Sequence, residues 1–318
     1  MKLGKNVEFA ASVLKTGGLV AIPTETVYGL AADATNPDAV ANIFKVKKRP
    51  SFDPLIIHVA NISEAEKYVA SMEPRAKILA ENFWPGPLTL VLPKNEKIPD
   101  IVSSGLDTVG VRVPNHKLTL TLLEQLDFPL AAPSANLFGY VSPTRPIHVE
   151  SQLGDDIDYI LDGGPCQIGV ESTIVGFEEN QAIVYRRGGI DIPSIEKLIG
   201  KVIVNEHSNS NPQAPGMLSS HYSPKKKVVL GDYVKVKREN PEVKVGVLNF
   251  SQNVDDCPLD WQLILSKKGD LIEAAYHLFE FLRRTDEMEP DLFVTELVPD
   301  IGIGQAINDR LKRAAAKV

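Results

Sequence analysis

Cysteine is nearly absent. Cys166 and Cys257 are the only two in 318 residues, far apart and without a CxxC pair, which excludes a disulfide framework and argues against a structural zinc site. Aromatic residues make up only 7% of the chain, and few stand near its clustered cations, so there is little on which single-stranded bases could stack. No window reaches the roughly 18 apolar residues of a membrane span. Met1 to Phe9 carries charges and no apolar stretch, so no export signal is expected, and the simplest setting is the cytoplasm. Positive charge is in deficit: 34 Lys and Arg against 41 Asp and Glu give a formal net charge of −7. A field of that sign counts against non-specific nucleic-acid binding as the main activity and leaves room only for a local basic patch.

Common catalytic signatures are missing too. There is no G-x-x-x-x-G-K-[ST] phosphate loop, since Gly200-Lys201 is followed by Val202. There is no G-x-S-x-G elbow and no H-E-x-x-H pair, and neither cysteine has a catalytic context. The Gly302-Ile-Gly-Gln run resembles a dinucleotide fingerprint only in part and reads as a helix-start turn. An enzyme made from this chain would work by positioning and electrostatics, not through a covalent nucleophile.

What is present suits a globular protein of about two domains: 43% apolar, 24% charged. The organising stretch is Ile22 to Val59. It holds Ile22-Pro-Thr-Glu-Thr-Val-Tyr-Gly-Leu30, a helix capped by Asn36-Pro37 and ending in Lys45, Lys47, Lys48 and Arg49, and the apolar strand Leu55–Val59. Further helices are expected at 6–16, 63–69, 74–83, 117–126 and 195–199, and strands at 19–22, 88–92, 108–114, 130–132 and 157–161. Residues 172–177 and 182–187 read as a hairpin. From about 205 to 227 Asn, Ser, Pro, Gln and Gly dominate, as in a linker. Beyond it, strands at 228–230, 243–248, 262–265 and 292–295 alternate with helices at 270–283 and 305–315, which points to a small parallel α/β domain.

Several polar groups fall at strand ends. The Lys45–Arg49 cluster reads either as a solvated helix C-terminus or as a phosphate clamp. His58 closes an apolar strand, as a satisfied core histidine does. In residues 108–113, Val109, Val111 and Val113 share one face and Thr108, Gly110 and Arg112 the other, so a buried Arg112 calls for a carboxylate or phosphate beside it. Ser134 and Asn136 follow the strand Leu130–Ala132, where ligand crevices commonly lie. Ser142, Ser172 and Arg186-Arg187 are ambiguous alone, reading as caps, turns or a hairpin end.

Pro23-Thr-Glu-Thr-Val-Tyr-Gly-Leu30, Lys47-x-Arg49, Pro54-Leu-Ile-Ile-His58, Trp84-Pro-Gly-Pro-Leu-Thr89, Val111-Arg-Val-Pro114, Ala132-Pro-Ser-Ala-Asn136 and Ser172-Thr173 together resemble the YrdC-like family. Pro215-Gly-Met, His221-Tyr-Ser-Pro224 and Ala306-Ile-Asn-Asp-Arg310 resemble its two-domain members, the L-threonylcarbamoyl-AMP synthases. The resemblance implies a twisted mixed-sheet α/β domain with an open basic cavity over residues 1–205, a linker or lid over residues 206–227, and a small Rossmann-like parallel α/β domain over residues 228–318. It implies a nucleotidyltransferase that condenses L-threonine, bicarbonate and ATP to threonylcarbamoyl-adenylate and pyrophosphate, with Mg²⁺ accompanying the ATP. Downstream partners would be the proteins that transfer the threonylcarbamoyl group to tRNA, with direct tRNA contact not required.

Residue roles implied by the resemblance are these. Thr26, His58, Arg112, Ser134 and Ser172 would bind threonine, Arg112 through its carboxylate. Lys47, Arg49, Asp53, Thr108, Ala132, Asn136, Ser142, Arg186 and Tyr222 would surround ATP, and Lys47 and Arg49 would stabilise charge in the transition state. No protein side chain is expected to hold a metal. Asp53 departs from the Asn common at this position in the family, and a carboxylate there would repel a triphosphate unless it bound Mg²⁺ or faced away. Tyr222 would let the linker close over the cavity. Alternative readings are an RNA-binding module using the same basic cavity, a carbamoyl-transfer maturation enzyme, for which zinc motifs and an acylphosphatase-like segment are lacking, and a regulatory protein with a degenerate site.

Overall fold

The computed structural model describes residues 2–205 and 222–316. The motifs Pro215-Gly-Met and His221, and most of the expected lid, lie outside the described residues.

Among the described residues, fifteen strands divide between two sheets. The larger holds β1 (Leu3–Gly4), β2 (Val20–Ile22), β3 (Gly29–Asp33), β4 (Ile56–His58), β5 (Leu88–Pro93), β6 (Thr108–Arg112), β7 (Leu130–Ala131), β8 (Tyr159–Leu161), β9 (Thr173–Glu178), β10 (Gln181–Arg186) and β11 (Val202–Val204). Its order is β1-β8-β2-β3-β7-β4-β6-β5-β9-β10-β11, with parallel and antiparallel pairs mixed. The smaller sheet, β12 (Lys227–Leu230), β13 (Val245–Asn249), β14 (Gln262–Ile264) and β15 (Leu292–Thr295), runs β12-β15-β13-β14 and is parallel throughout. That is the outcome expected of strands alternating with crossover helices.

The helices are α1 (Val7–Lys15), α2 (Pro37–Lys47), α3 (Ile62–Glu66), α4 (Pro74–Phe83), α5 (Asp100–Ser103), α6 (Lys117–Leu123), α7 (Pro146–Leu153), α8 (Ile192–Ile199), α9 (Tyr233–Glu239), α10 (Leu271–Arg284) and α11 (Gly304–Ala315). Local chemistry sets their ends. The Asn6 and Asn36 side chains accept from first-turn amides of α1 and α2, and Pro37 opens α2. α2 stops at Lys48, which adopts the left-handed conformation (φ 51°), two residues before Pro50. Among the described residues, no helix is long and apolar enough to cross a membrane.

The sequence shows no periodicity for β3, and the expected strand–helix–strand unit has this extra strand inside it. β3 pairs antiparallel with β2, Ile22 against Gly29, so Thr24 to Val27 form the tight turn between them. Gly29 fits because a Cβ there would lie 3.2 Å from that of Ala132. β9 and β10 form the expected hairpin, with Ala182 opposite Phe177. The main core packs beneath the large sheet around Leu30, Ile43, Ile57, Leu90 and Val111. A second core joins Val27, Val141, Val170 and Tyr222 to Leu278, Phe279, Phe293 and Ile307. The small sheet and its helices therefore share an apolar interior with the first two hundred residues.

Candidate active site

Strand register assembles one hollow. β4 and β6 are parallel, and His58 lies beside Arg112. β5 and β9 are parallel with Leu88 beside Thr173, which sets Ser172 next in line. The segment after β7 returns past β3, where Gly29 bridges Ser134. The cavity bounded by these strand ends is lined by Thr24, Thr26, Val27 and Gly29 from the β2–β3 turn, Ile56 and His58 from β4, and Arg112 from β6. Ala132, Pro133 and Ser134 form another wall, and Arg49, Glu171, Ser172, Arg186 and Tyr222 complete it. Arg49, Arg112 and Ser134 thus face a single hollow.

Each arginine is held in place. Arg112 pairs with Glu25 (Nη2 to Oε2, 2.8 Å) and donates through Nε to the Gly86 carbonyl (3.2 Å). The carboxylate that a buried arginine requires is therefore supplied first by the protein itself. Nη2 of Arg112 is buried and, although close to Glu25, makes no aligned hydrogen bond among the described residues. Arg186 donates to the Ser172 carbonyl (3.0 Å) and hydroxyl (3.1 Å), and that hydroxyl is 2.8 Å from Thr89 Oγ1. Arg49 donates to the carbonyls of Asp53 (3.1 Å) and Pro54 (2.9 Å) and pairs with the Asp53 carboxylate (2.9 Å).

The basic cluster separates into two kinds of residue. Lys45 and Lys48 are exposed, as a solvated helix end predicts, while Lys47 and Arg49 are buried. Lys47 Nζ does not line the hollow; it donates to the carbonyls of Ser134 and Asn136, each at 2.5 Å. Burial, and then the neighbouring Arg49, push its ammonium well below the ordinary lysine range. Burial likewise pushes the Asp53 carboxyl up, and Arg49 draws it back down. Asp53 stands outside the hollow. Its carboxylate pairs with Arg49, which does line the hollow. His58 is held neutral: burial, with Arg112 adding, lowers it to about 3.

Other expected residues lie behind or beside the walls. Ser142 is buried and donates to Glu171 Oε1 (2.7 Å). Asn136 donates to the Leu137 and Tyr140 carbonyls and shapes its own loop. Thr108 lines a neighbouring groove with Val91, Phe177 and Tyr185, beyond Ile56 on the same sheet. Ala132 and Tyr222 line the hollow itself. Tyr222 is buried, has φ 64°, and stacks on Phe279 with ring centroids 5.4 Å apart.

The reading from sequence gave no role to Glu25, Glu171 or Thr89. Glu25 and Thr89 stood inside the quoted motifs, and Glu171 immediately precedes Ser172-Thr173. A carboxylate among hydroxyls with an arginine elsewhere was the only signal, and it names no partner.

A family model described as "Telomere recombination" matches residues 12–188, and one described as "Threonylcarbamoyl-AMP synthase, C-terminal domain" matches residues 190–316. The threonylcarbamoyl-AMP synthase of Pyrococcus abyssi is 40% identical, the match covering 97% of this chain and 94% of that protein. The synthase of Bacillus subtilis is also 40% identical, over 96% and 92%. The crystal structure of P. abyssi Sua5 complexed with L-threonine superposes with a TM-score of 0.90 at 38% identity, covering 98% of this chain and 96% of that one.

Proposed function

The chain belongs to the Sua5/YciO/YrdC family, in the long form that carries the threonylcarbamoyl-AMP synthase C-terminal domain, and from that premise we propose that it condenses L-threonine, bicarbonate and ATP to threonylcarbamoyl-adenylate and pyrophosphate, a nucleotidyl transfer. The observation that carries this reading is the single hollow lined at once by Arg49, Arg112 and Ser134. That lining supports reading an amino-acid niche beside a cationic berth for phosphates.

In this reading the threonine carboxylate meets the guanidinium of Arg112, which Glu25 and the Gly86 carbonyl hold in place. Thr26, Ser134, Ser172 and neutral His58 surround the rest of the amino acid. A neutral His58 matters because a second cation beside Arg112 would disfavour a protonated arrangement already short of counter-charge. The threonine amine attacks the bicarbonate carbon, and one oxygen leaves as water with a proton from the amine, giving a carbamate. A carbamate oxygen attacks the α-phosphorus, and pyrophosphate leaves. Charge accumulates on the phosphoryl oxygens, where Arg49 and Arg186 stand pre-oriented by carbonyls and hydroxyls, so little reorganisation is needed as the charge develops. Lys47 contributes by bracing the carbonyls of the Ser134–Asn136 loop.

No three His, Cys, Asp or Glu side chains converge as a metal cage among the described residues. This donor set fits an Mg²⁺ that arrives on the ATP phosphates and keeps most of its water, so MgATP is the proposed substrate form. We place the catalytic unit in residues 1–205 and the C-terminal domain in 228–318. A cytoplasmic setting suits the free, buried Cys166 and Cys257, and the product would pass to the proteins that load the threonylcarbamoyl group onto tRNA.

The test is threonine-dependent pyrophosphate release from ATP with labelled bicarbonate. The wild-type chain should form the labelled adenylate, and Arg49→Ala should lower the rate by about 10²-fold or more, as loss of a preorganised charge partner does. Release that is independent of threonine, or a fully active Arg49→Ala, rejects the assignment.

A further inference from the structure

Arg310 of α11 reaches residues that wall the hollow. It is 0% exposed and the largest fully buried side chain among the described residues. Its Nε and Nη2 both donate to Glu171 Oε2, at 3.1 Å each. Its Nη1 donates to the Arg187 carbonyl (2.7 Å), and its guanidinium lies over the Tyr222 ring at 5.4 Å. Asp309 holds Nη1 from behind at 3.0 Å and Arg313 Nε at 2.8 Å.

Each of these contacts touches a wall. Glu171 and Tyr222 line the hollow, and Arg187 follows Arg186, which lines it as well. Glu171 is also the acceptor for Ser142. A buried guanidinium that gives two N–H donors to one carboxylate oxygen fixes that oxygen's place, and a lysine cannot present the same rigid pair of donors.

We propose that Arg310 is a positioning residue of the active site: from the C-terminal domain it holds Glu171, the Arg186–Arg187 strand end and Tyr222 in the arrangement that the nucleotide meets. This gives the C-terminal domain a direct part in ATP binding. It rests on the reading that ATP occupies this end of the hollow.

The experiment compares the full-length wild type with Arg310→Lys, Arg310→Ala, Glu171→Gln and Arg145→Ala. Arg145 pairs with Glu280 across the same domain contact, but away from the hollow. KM for ATP and for threonine comes from pyrophosphate release, ATP affinity from calorimetry with MgATP, and folding from thermal melts. Arg310→Lys and Glu171→Gln should each weaken ATP about tenfold or more, with the threonine value within about twofold. The double variant Arg310→Lys/Glu171→Gln should be little worse than either single change, because both break one contact. Arg145→Ala should move neither constant. Wild-type ATP affinity in Arg310→Lys overturns the proposal, as does an equal loss for both substrates that follows the drop in melting temperature. If Arg310→Ala does not fold, the lysine and glutamine variants decide. If the wild type releases no threonine-dependent pyrophosphate, the functional assignment falls, while calorimetry still decides whether Arg310 governs ATP affinity.

Discussion

His58 sits beside Arg112 in the register of β4 and β6, buried and with no carboxylate of its own. Its folded value of about 3 lies below the ordinary 6.5. Between those values the unfolded chain binds the proton and the folded chain does not, so stability is fully present above about pH 6.5 and is lost as pH falls towards 3. The wild type should therefore lose stability on acidification more steeply than His58→Gln, by up to about 1.4 kcal/mol per pH unit. Urea titrations of both proteins at pH 7, 6, 5 and 4 measure this. His148, also lowered to about 3 by burial, titrates in both proteins and cancels in the difference, and parallel pH curves would contradict a buried neutral His58. At this scale the sequence pointed to Arg49, Arg112 and Arg186, which line the hollow, but not to their restraints. Valines alternating with Thr108, Gly110 and Arg112 showed that Arg112 is buried and needs an anion. That the anion is Glu25, 87 positions earlier in the chain, depends on where the β2–β3 turn lands.

Elements were legible where a single local rule sets them. Asn caps, Pro at the first turn and 3.6-residue periodicity marked α1, α2, α4 and α10 to within a residue or two. β3 escaped because it is short, rich in Gly and Ala, and stabilised by its neighbours more than by its own residues. The hairpin of β9 and β10 was legible, but the segment that follows it was not. Gly188 packs directly on the Glu171–Thr173 backbone: a Cβ there would stand 2.3 Å from the Glu171 carbonyl oxygen and from the Ser172 carbonyl carbon. Backbone on both sides cannot move aside as a flexible side chain would. Gly188→Ala should cost about 1–3 kcal/mol by overpacking and should displace Ser172 and Arg186 from each other. Denaturant melts measure the first effect, and a raised KM for threonine or ATP the second. An alanine variant of unchanged stability and kinetics would show that the strand start has room to spare.

At the scale of the whole molecule, the two sheets are joined by arginines as well as by the shared core. Arg283 of α10 donates to the carbonyls of Val141 and Ser142 and lies over the Tyr140 ring at 4.9 Å, and Tyr140 donates to Asp286 at 2.6 Å. Removing Arg283 leaves buried carbonyls without donors, and Arg283→Ala should destabilise the chain by about 2 kcal/mol or more. Hydrogen exchange should then accelerate across residues 139–144 while α1 and α4 keep their protection. Uniform acceleration in every element would mean that Arg283 supports global stability only.

The sequence alone determined the kinds of residue available, the caps and breaks of most helices, the parallel character of the C-terminal sheet and the motifs that mark the family. Those are short-range properties, set by spacing and by the conformational preferences of single residues. Only the tertiary structure decided that Lys47 braces a loop instead of facing the hollow, that Asp53 pairs with Arg49, that Glu25 orients Arg112, and that Arg310 enters the first domain from the second. Each of those outcomes is a buried charge choosing its partner. Because desolvation makes an unpaired charge so costly, the choice is made by whichever group the completed fold brings within reach, and separation along the chain does not reveal it.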